Sequence, residues 1–201
     1  MGFLSVLSFA HKLIQERLQP GDAAVDATVG NGVDTAFLAR LVGPSGAVHG
    51  FDIQEAALEA ARSRLAAEIP APKRPPVHLH LRSHDEMRAA LPEALLGRAA
   101  AVMFNLGYWP SGSRGIITRP QTTLPALEAA ADVLRTGGVL TIAVYPGHPG
   151  GGEEAEAVER WASGLPQERF QVLSYRFLNP RNPPPYIIAV EKKEPRRAEA
   201  D

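Results

Sequence analysis

The sequence predicts an α/β fold, a mostly parallel seven-stranded sheet with helices on both faces and an antiparallel hairpin at one edge. Three observations lead there. Short apolar runs alternate five or so times with stretches of helical pattern, the signature of parallel strands joined by crossover helices. The last two apolar runs have only a Pro-rich turn between them, so they pair as a hairpin. A glycine-containing polar loop follows the first strand, where open parallel sheets collect ligands.

Taken in order, an amphipathic helix is expected from Leu4 to Gln19, with Phe3, Leu7, Ile14 and Leu18 as its apolar face, stopped by Pro20-Gly21. Strands are expected at Ala23–Ala27, Ala47–Phe51, Val77–Leu81, Ala99–Phe104 and Val139–Val144. Helices are expected at Asp34–Val42, Gln54–Ile69, Asp85–Leu91, Thr123–Leu134 and Glu153–Leu165. The closing hairpin is Phe170–Phe177 with Tyr186–Glu191, turning through Asn179–Pro185. Residues 1–195 form one domain and 196–201 a charged tail.

Composition narrows the function. The chain has 201 residues, 45% of them apolar and 21% charged, which is ordinary globular composition. Lys and Arg number 21 against 22 Asp and Glu, so a protein that coats polyanions wholesale is excluded and any nucleic-acid contact must use a local basic patch. There is no cysteine, which removes disulfides, zinc thiolates, iron–sulfur clusters and thiol nucleophiles and fits a reducing cytoplasm. No apolar run reaches the roughly 18 residues of a membrane span. His49, His78 and His80 lack ligand spacing, and no metal is expected.

The first loop runs Asp26-Ala-Thr28-Val-Gly30-Asn31-Gly32-Val33-Asp34, and Asp52 closes the next strand. A carboxylate about 20 residues past a glycine loop is placed to accept two ribose hydroxyls. A dinucleotide would want a third glycine where Thr35 stands, and Asp34 at the helix start would repel its pyrophosphate. S-adenosyl-L-methionine, an adenosyl ligand without phosphate, fits better. Asp26, Thr28, Gly30, Asn31, Gly32, Asp34, Asp52 and Gln54 are the candidate cofactor residues, with Ser83 and His84 at the next strand end for the adenine. The plainer reading of the first loop is a tight strand–helix turn with Asp34 as an N-terminal cap, which the glycine pair together with Asp52 disfavours, whereas Ser83 reads equally as the cap of the next helix.

The second loop, Phe104-Asn105-Leu106-Gly107-Tyr108-Trp109-Pro110, ends the fourth strand. An amine that attacks a methyl group needs acceptors for its N–H groups while its lone pair points at the carbon. An Asn carbonyl and the next backbone carbonyl supply them. The segment is similar to the Asn-Pro-Pro-Tyr loop of amino methyltransferases, with Leu106-Gly107 in place of the two prolines. Without cysteine the chain cannot methylate pyrimidine carbon 5 through a thiolate adduct. Asn105, Tyr108 and His148 are the candidate catalytic residues; Tyr108, Arg119 and Tyr145 are candidates for substrate. The plainer readings are a turn residue for Asn105, core packing for Tyr108 and Trp109, and N-caps for Thr122 or Thr123. Arg176, Arg181, Lys192 and Lys193 form either a basic edge or a solvated surface.

Together, Asp26–Gly32, Gly50-Phe-Asp-Ile-Gln54, Asn105–Tyr108, Tyr145-Pro-Gly-His148 and Trp161 resemble the MnmM/YtqB-type methyltransferases over nearly the whole chain. The departures are Val33 where His is expected and Trp109 where an aliphatic residue is expected. The resemblance implies a Rossmann-like class I methyltransferase fold and an S-adenosylmethionine-dependent tRNA methyltransferase. Its acceptor would be the exocyclic amine of wobble 5-aminomethyl-(2-thio)uridine in the anticodon stem-loop. It further implies a homodimer, cofactor contacts at Asn31, Asp34, Asp52, Gln54, Ser83 and His84, and Asn105 at the methyl-transfer centre. The alternatives are an rRNA or small-molecule amine acceptor, a nicotinamide-dependent oxidoreductase and a non-catalytic adenosyl-binding regulator.

Overall fold

The computed structural model describes residues 2–112 and 115–194. Seven strands form one sheet in the order β3-β2-β1-β4-β5-β7-β6. They are β1 (Ala23–Asp26), β2 (Ala47–Asp52), β3 (Val77–Leu81), β4 (Ala99–Asn105), β5 (Leu134–Val144), β6 (Phe170–Tyr175) and β7 (Tyr186–Lys192). The first five are parallel, and β7 is antiparallel to both β5 and β6. The chain runs outward from β1 to β3 and then restarts inward at β4. Strand order therefore reverses between β1 and β4, and a crevice opens at their carboxyl ends. The tail at 196–201 and the domain boundary at 195 lie outside the described residues.

The helices are α1 (Val6–Gln15), α2 (Val33–Val42), α3 (Glu55–Glu68), α4 (Met87–Ala90), α5 (Pro120–Val133) and α6 (Gly151–Ser163). One apolar layer joins Val25, Phe51, Val102, Leu140 and Ile142 to α4, α5 and α6. The opposite layer joins Ala24, Val48, Ala101 and Met103 to α2, α3 and the end of α1. Alternation along each strand sends neighbouring side chains into different layers, as both-face burial requires.

Several boundaries depart from expectation. α1 begins only at Val6, because the Ser5 hydroxyl accepts the Ser8 N–H at 3.2 Å as its cap. Its buried face is Val6, Ala10 and Ile14, while Phe3 and Leu7 are exposed. α5 starts at Pro120 and not at Thr123, since proline is pre-set for the first helical position and loses no bond there. Thr122 and Thr123 are accordingly not its N-caps; Arg119 holds that position. The helix expected at Asp85–Leu91 divides into a 3-10 turn, His84–Glu86, and the short α4, which Leu91 and Pro92 terminate.

Gly32 caps α2 with φ +71, and a Cβ there would lie 2.6 Å from the Ala61 Cα. The glycine thus serves a left-handed backbone and a close approach of α2 to α3. Neither Asp34 nor Ser83 donates or accepts a capping bond.

Candidate active site

Asp26, at the end of β1, is fully buried. Its Oδ1 accepts the Thr28 N–H at 3.1 Å and its Oδ2 accepts the Thr35 hydroxyl at 2.6 Å. Burial, then the neighbouring Asp34, push its carboxyl up to about 7. Asp26 thus braces the glycine loop from beneath. Asp52, at the end of β2, accepts the Gly30 N–H on Oδ2 and the Gln54 N–H on Oδ1, each at 2.9 Å. One lone-pair direction on each oxygen remains for another donor.

Asp34 is the second residue of α2, where the helix dipole favours a carboxylate. Its Oδ2 accepts the Asn105 Nδ2–H at 2.5 Å, and its Oδ1 accepts from His11 Nε2 of α1 at 2.7 Å. The Asn105 N–H is held in turn by the Thr28 hydroxyl at 2.7 Å. β1, α2, β4 and α1 thereby meet at one point.

The segment after β4 folds back on itself. The Gly107 N–H donates to Thr118 Oγ1 at 2.6 Å, the Thr118 N–H to the Gly107 carbonyl at 2.7 Å, and Tyr108 pairs with Ile117. Gly107 has φ +123, and a Cβ on it would lie 3.3 Å from His148 Nε2. Glu154 of α6, 2% exposed, accepts the Thr118 hydroxyl at 2.7 Å and the Thr123 hydroxyl at 2.6 Å. One buried carboxylate so ties this loop to α5 and α6. Across the crevice, Trp109 Nε1 donates to Asn31 Oδ1 at 2.7 Å, which gives the departure at Trp109 a structural purpose.

These elements enclose a cavity of about 700 Å³, within the usual range for small-molecule sites. Thr28, Gly30, Asn31, Asp34, Asp52 and Gln54 line it from the first loop side, and Ser83 and His84 from the end of β3. Asn105, Tyr108, Arg119, Tyr145 and His148 line it from the other. Two expected members are absent from the lining. Asp26 lies below it with both oxygens engaged, and Gly32 faces α3.

Among the lining groups, His84 is buried with Nε2 unpartnered, and burial holds its imidazole below the ordinary value. His148 donates Nδ1–H to the Pro149 carbonyl at 3.0 Å, leaving Nε2 buried and unpartnered. The Tyr108 ring meets the His148 ring edge-on with centroids 6.0 Å apart. Burial, with Asp34 nearby, pushes the Tyr145 phenol up.

Three of the four cations of the expected basic edge are engaged separately, by different parts of the protein. Arg176 pairs with Glu159 and lies over the Tyr186 ring, Lys192 donates to the Ala131 and Leu134 carbonyls at the end of α5, and Lys193 to the Gln167 carbonyl. His49, His78 and His80 stack as rings, and no group of three or more potential ligands among the described residues has metal-holding geometry. His11 and Glu154 went unnoticed in the sequence, yet each is a polar residue within an apolar helical stripe, beside Ile14 and Val158 respectively.

Residues 48–191 match the model of a family described as "Putative rRNA methylase". The chain is 39% identical over 190 residues to a tRNA (mnm(5)s(2)U34)-methyltransferase, chloroplastic, from Arabidopsis thaliana, covering 92% of this chain and 68% of that one. A solved structure described as a "putative rRNA-methylase" from Clostridium thermocellum superposes with TM-score 0.88 at 40% identity, covering 96% of this chain and 100% of the other. A Streptococcus mutans methyltransferase solved in complex with SAH gives 0.83 at 36% identity, covering 95% and 99%.

Proposed function

This chain belongs to the "Putative rRNA methylase" family of S-adenosylmethionine-dependent methyltransferases, and from that premise we propose that it methylates the exocyclic amine of wobble 5-aminomethyl-(2-thio)uridine in tRNA. The product is 5-methylaminomethyl-(2-thio)uridine, in line with the activity named for the Arabidopsis relative.

The cavity chemistry suits the cofactor. Three carboxylates, Asp26, Asp34 and Asp52, surround the first loop, and the charges of Asp34 and Asp52 add to burial in raising Asp26. A ligand carrying sulfonium and ammonium charges relieves that repulsion, whereas a pyrophosphate adds to it. Asp52 would take the ribose hydroxyls, Ser83 and the unpartnered His84 Nε2 the adenine, and Asn31 and Asp34 the amino-acid end, with Gln54 beside the ribose. When bound, S-adenosylmethionine supplies an electrophilic methyl group on sulfur.

Asn105 is the observation that carries the amine reading. Its Nδ2 is engaged by Asp34, so Oδ1 is the atom left to accept an N–H from the acceptor. The acceptor is a primary amine, largely protonated at neutral pH, and must lose a proton before its lone pair attacks. His148, whose ring lines the same cavity, is the candidate to take that proton. Tyr108 and Tyr145 flank the acceptor base, and Arg119 meets a backbone phosphate at the rim.

The same reading has the protein act in the cytoplasm as a homodimer on the anticodon stem-loop. No described helix is long and apolar enough to cross a membrane.

The test incubates purified protein with labelled S-adenosylmethionine and undermodified tRNA carrying 5-aminomethyluridine, with nucleosides resolved by mass spectrometry. One added methyl on the aminomethyl group is the expected result. Cofactor binding without transfer would overturn the acceptor and direct the search to rRNA or small-molecule amines.

A further inference from the structure

α1 belongs to none of the loops that carry the site motifs, yet it sends one side chain into their centre. His11 Nε2 lies 2.7 Å from Asp34 Oδ1, and Asp34 Oδ2 receives Asn105 Nδ2 at 2.5 Å. An ionised carboxylate only accepts, so the imidazole nitrogen facing it is the donor, and the Asn105 atom facing it is the NH2 nitrogen. The His11 ring is stacked on Phe37 of α2, with centroids 3.9 Å apart and planes 10° from parallel, so its donor direction is set by packing.

The two ends of an Asn carboxamide are nearly equal in shape and opposite in hydrogen-bonding character. Turned one way, Asn105 offers an acceptor to the cavity; turned the other, it offers a donor that would oppose an incoming N–H. Only the partner on the far side decides between them, and that partner is Asp34. Asp34 itself is 8% exposed at the start of α2, so its carboxylate direction is set by the side chains packed around it and not by water. Its second oxygen has one side-chain partner among the described contacts, His11.

We infer that His11 is a positioning residue: by holding Asp34 it sets the orientation of the Asn105 carboxamide and so presents Oδ1 to the acceptor. The inference rests on the amine-acceptor reading for its consequence in turnover, and on geometry alone for the orientation of the amide. The first helix, remote from every motif loop in sequence, is thereby part of the reaction centre.

Two variants of the full chain separate this role from packing. His11→Phe keeps the stack on Phe37 and removes the donor. His11→Gln loses the stack and keeps an N–H able to reach Asp34. The first readout is the Asn105 side-chain amide pair in 15N-correlated NMR spectra, assigned by its loss in Asn105→Ala. In the wild type and in His11→Gln the pair is displaced from free-carboxamide positions, and in His11→Phe it moves toward them. The second is turnover on aminomethyluridine tRNA: His11→Phe lowers kcat about tenfold or more with the cofactor KM within about twofold, and His11→Gln recovers much of the loss. Asn105 signals that do not move in His11→Phe overturn the inference whatever the acceptor is, and so does an unchanged kcat. If His11→Phe does not fold, signals in His11→Gln that shift to free-carboxamide positions overturn it. Failure of the wild type to methylate this tRNA removes the amine reading, and the NMR comparison still decides the role of His11.

Discussion

Asp52 and Asn105 stand on opposite walls of one cavity and should fail differently. Asp52→Ala deletes a carboxylate whose oxygens are already oriented by the Gly30 and Gln54 amides. Charge-assisted bonds to ribose hydroxyls contribute about 1.5–3 kcal/mol each. Calorimetry should therefore show S-adenosylmethionine affinity falling about tenfold to a hundredfold; unchanged affinity would remove Asp52 from the cofactor site. Asn105→Ala deletes an acceptor that matters most as the amine loses its proton. Its kcat should drop about a hundredfold with cofactor affinity within about threefold, and equal losses in both would make Asn105 a binding residue only. Glu154 makes a third case. Alanine there strands the Thr118 and Thr123 hydroxyls in a buried setting, each worth about 1–3 kcal/mol when unsatisfied. Urea melts should show Glu154→Ala less stable by about 2–4 kcal/mol, with Glu154→Gln milder because one carbonyl oxygen still accepts.

At the scale of elements, the segment from Asn105 to Thr118 is held at both ends. Its start is pinned to the first loop through Thr28, and its return is pinned to α6 through Thr118 and Glu154. That arrangement makes one wall of the cavity from a stretch whose described residues have little regular structure of their own. β2 and β3 carry a different liability. His49 is pushed down to about 4 by burial first and then by His78 and His80, against an ordinary value of 6.5. At this residue the unfolded chain then binds more protons than the folded one between those two values, so the contribution of His49 to stability falls as pH drops from about 6.5 toward 4. Partial solvent screening of the cluster limits the loss to about 1–2 kcal/mol, a few degrees in Tm. Asp26, raised to about 7, works in the opposite sense over much of this range, so the test is the comparison of two proteins. Between pH 7 and pH 5 the wild type should lose stability relative to His49→Gln in thermal melts; identical pH dependence in the two would contradict the burial of a neutral His49.

For the molecule as a whole, the reversal of strand order between β1 and β4 brings four separate chain segments to one crevice. α1 packs on the far side of the sheet from α5 and α6 and still reaches the site, because His11 lies near α2. Two large apolar side chains are open: Phe3, which precedes α1, and Leu178, which follows β6, are each 88% exposed, and α1 meets β6 through the stack of Phe9 on Tyr175. In the homodimer reading, these side chains are covered by a second copy. Light scattering should then find a dimer for the wild type, and a monomer when Phe3 and Leu178 are both changed to Ser. A monomeric wild type would remove the dimer.

Much of this was legible in the sequence because the signals are periodic or local. Apolar runs mark all seven strands: nearly unbroken in strands such as β1 and β4, which are buried on both faces, and interrupted by polar residues in the edge strands β3 and β6. The spacing from the glycine loop to Asp52 is a property of one strand–helix–strand unit, so it survives without knowledge of the rest. What only the tertiary structure decided depends on side-chain direction between segments distant in sequence. Asp26 turned beneath its loop and Gly32 against α3, although both sit in the motif. Of the adjacent Glu153 and Glu154, one is solvated and one buried, a difference set by one hundred degrees of helical turn. His11 and Asp34 are 23 positions apart and meet because α1 and α2 cover the same face of the sheet. Local pattern determines which elements form; which polar groups converge is settled only when those elements pack.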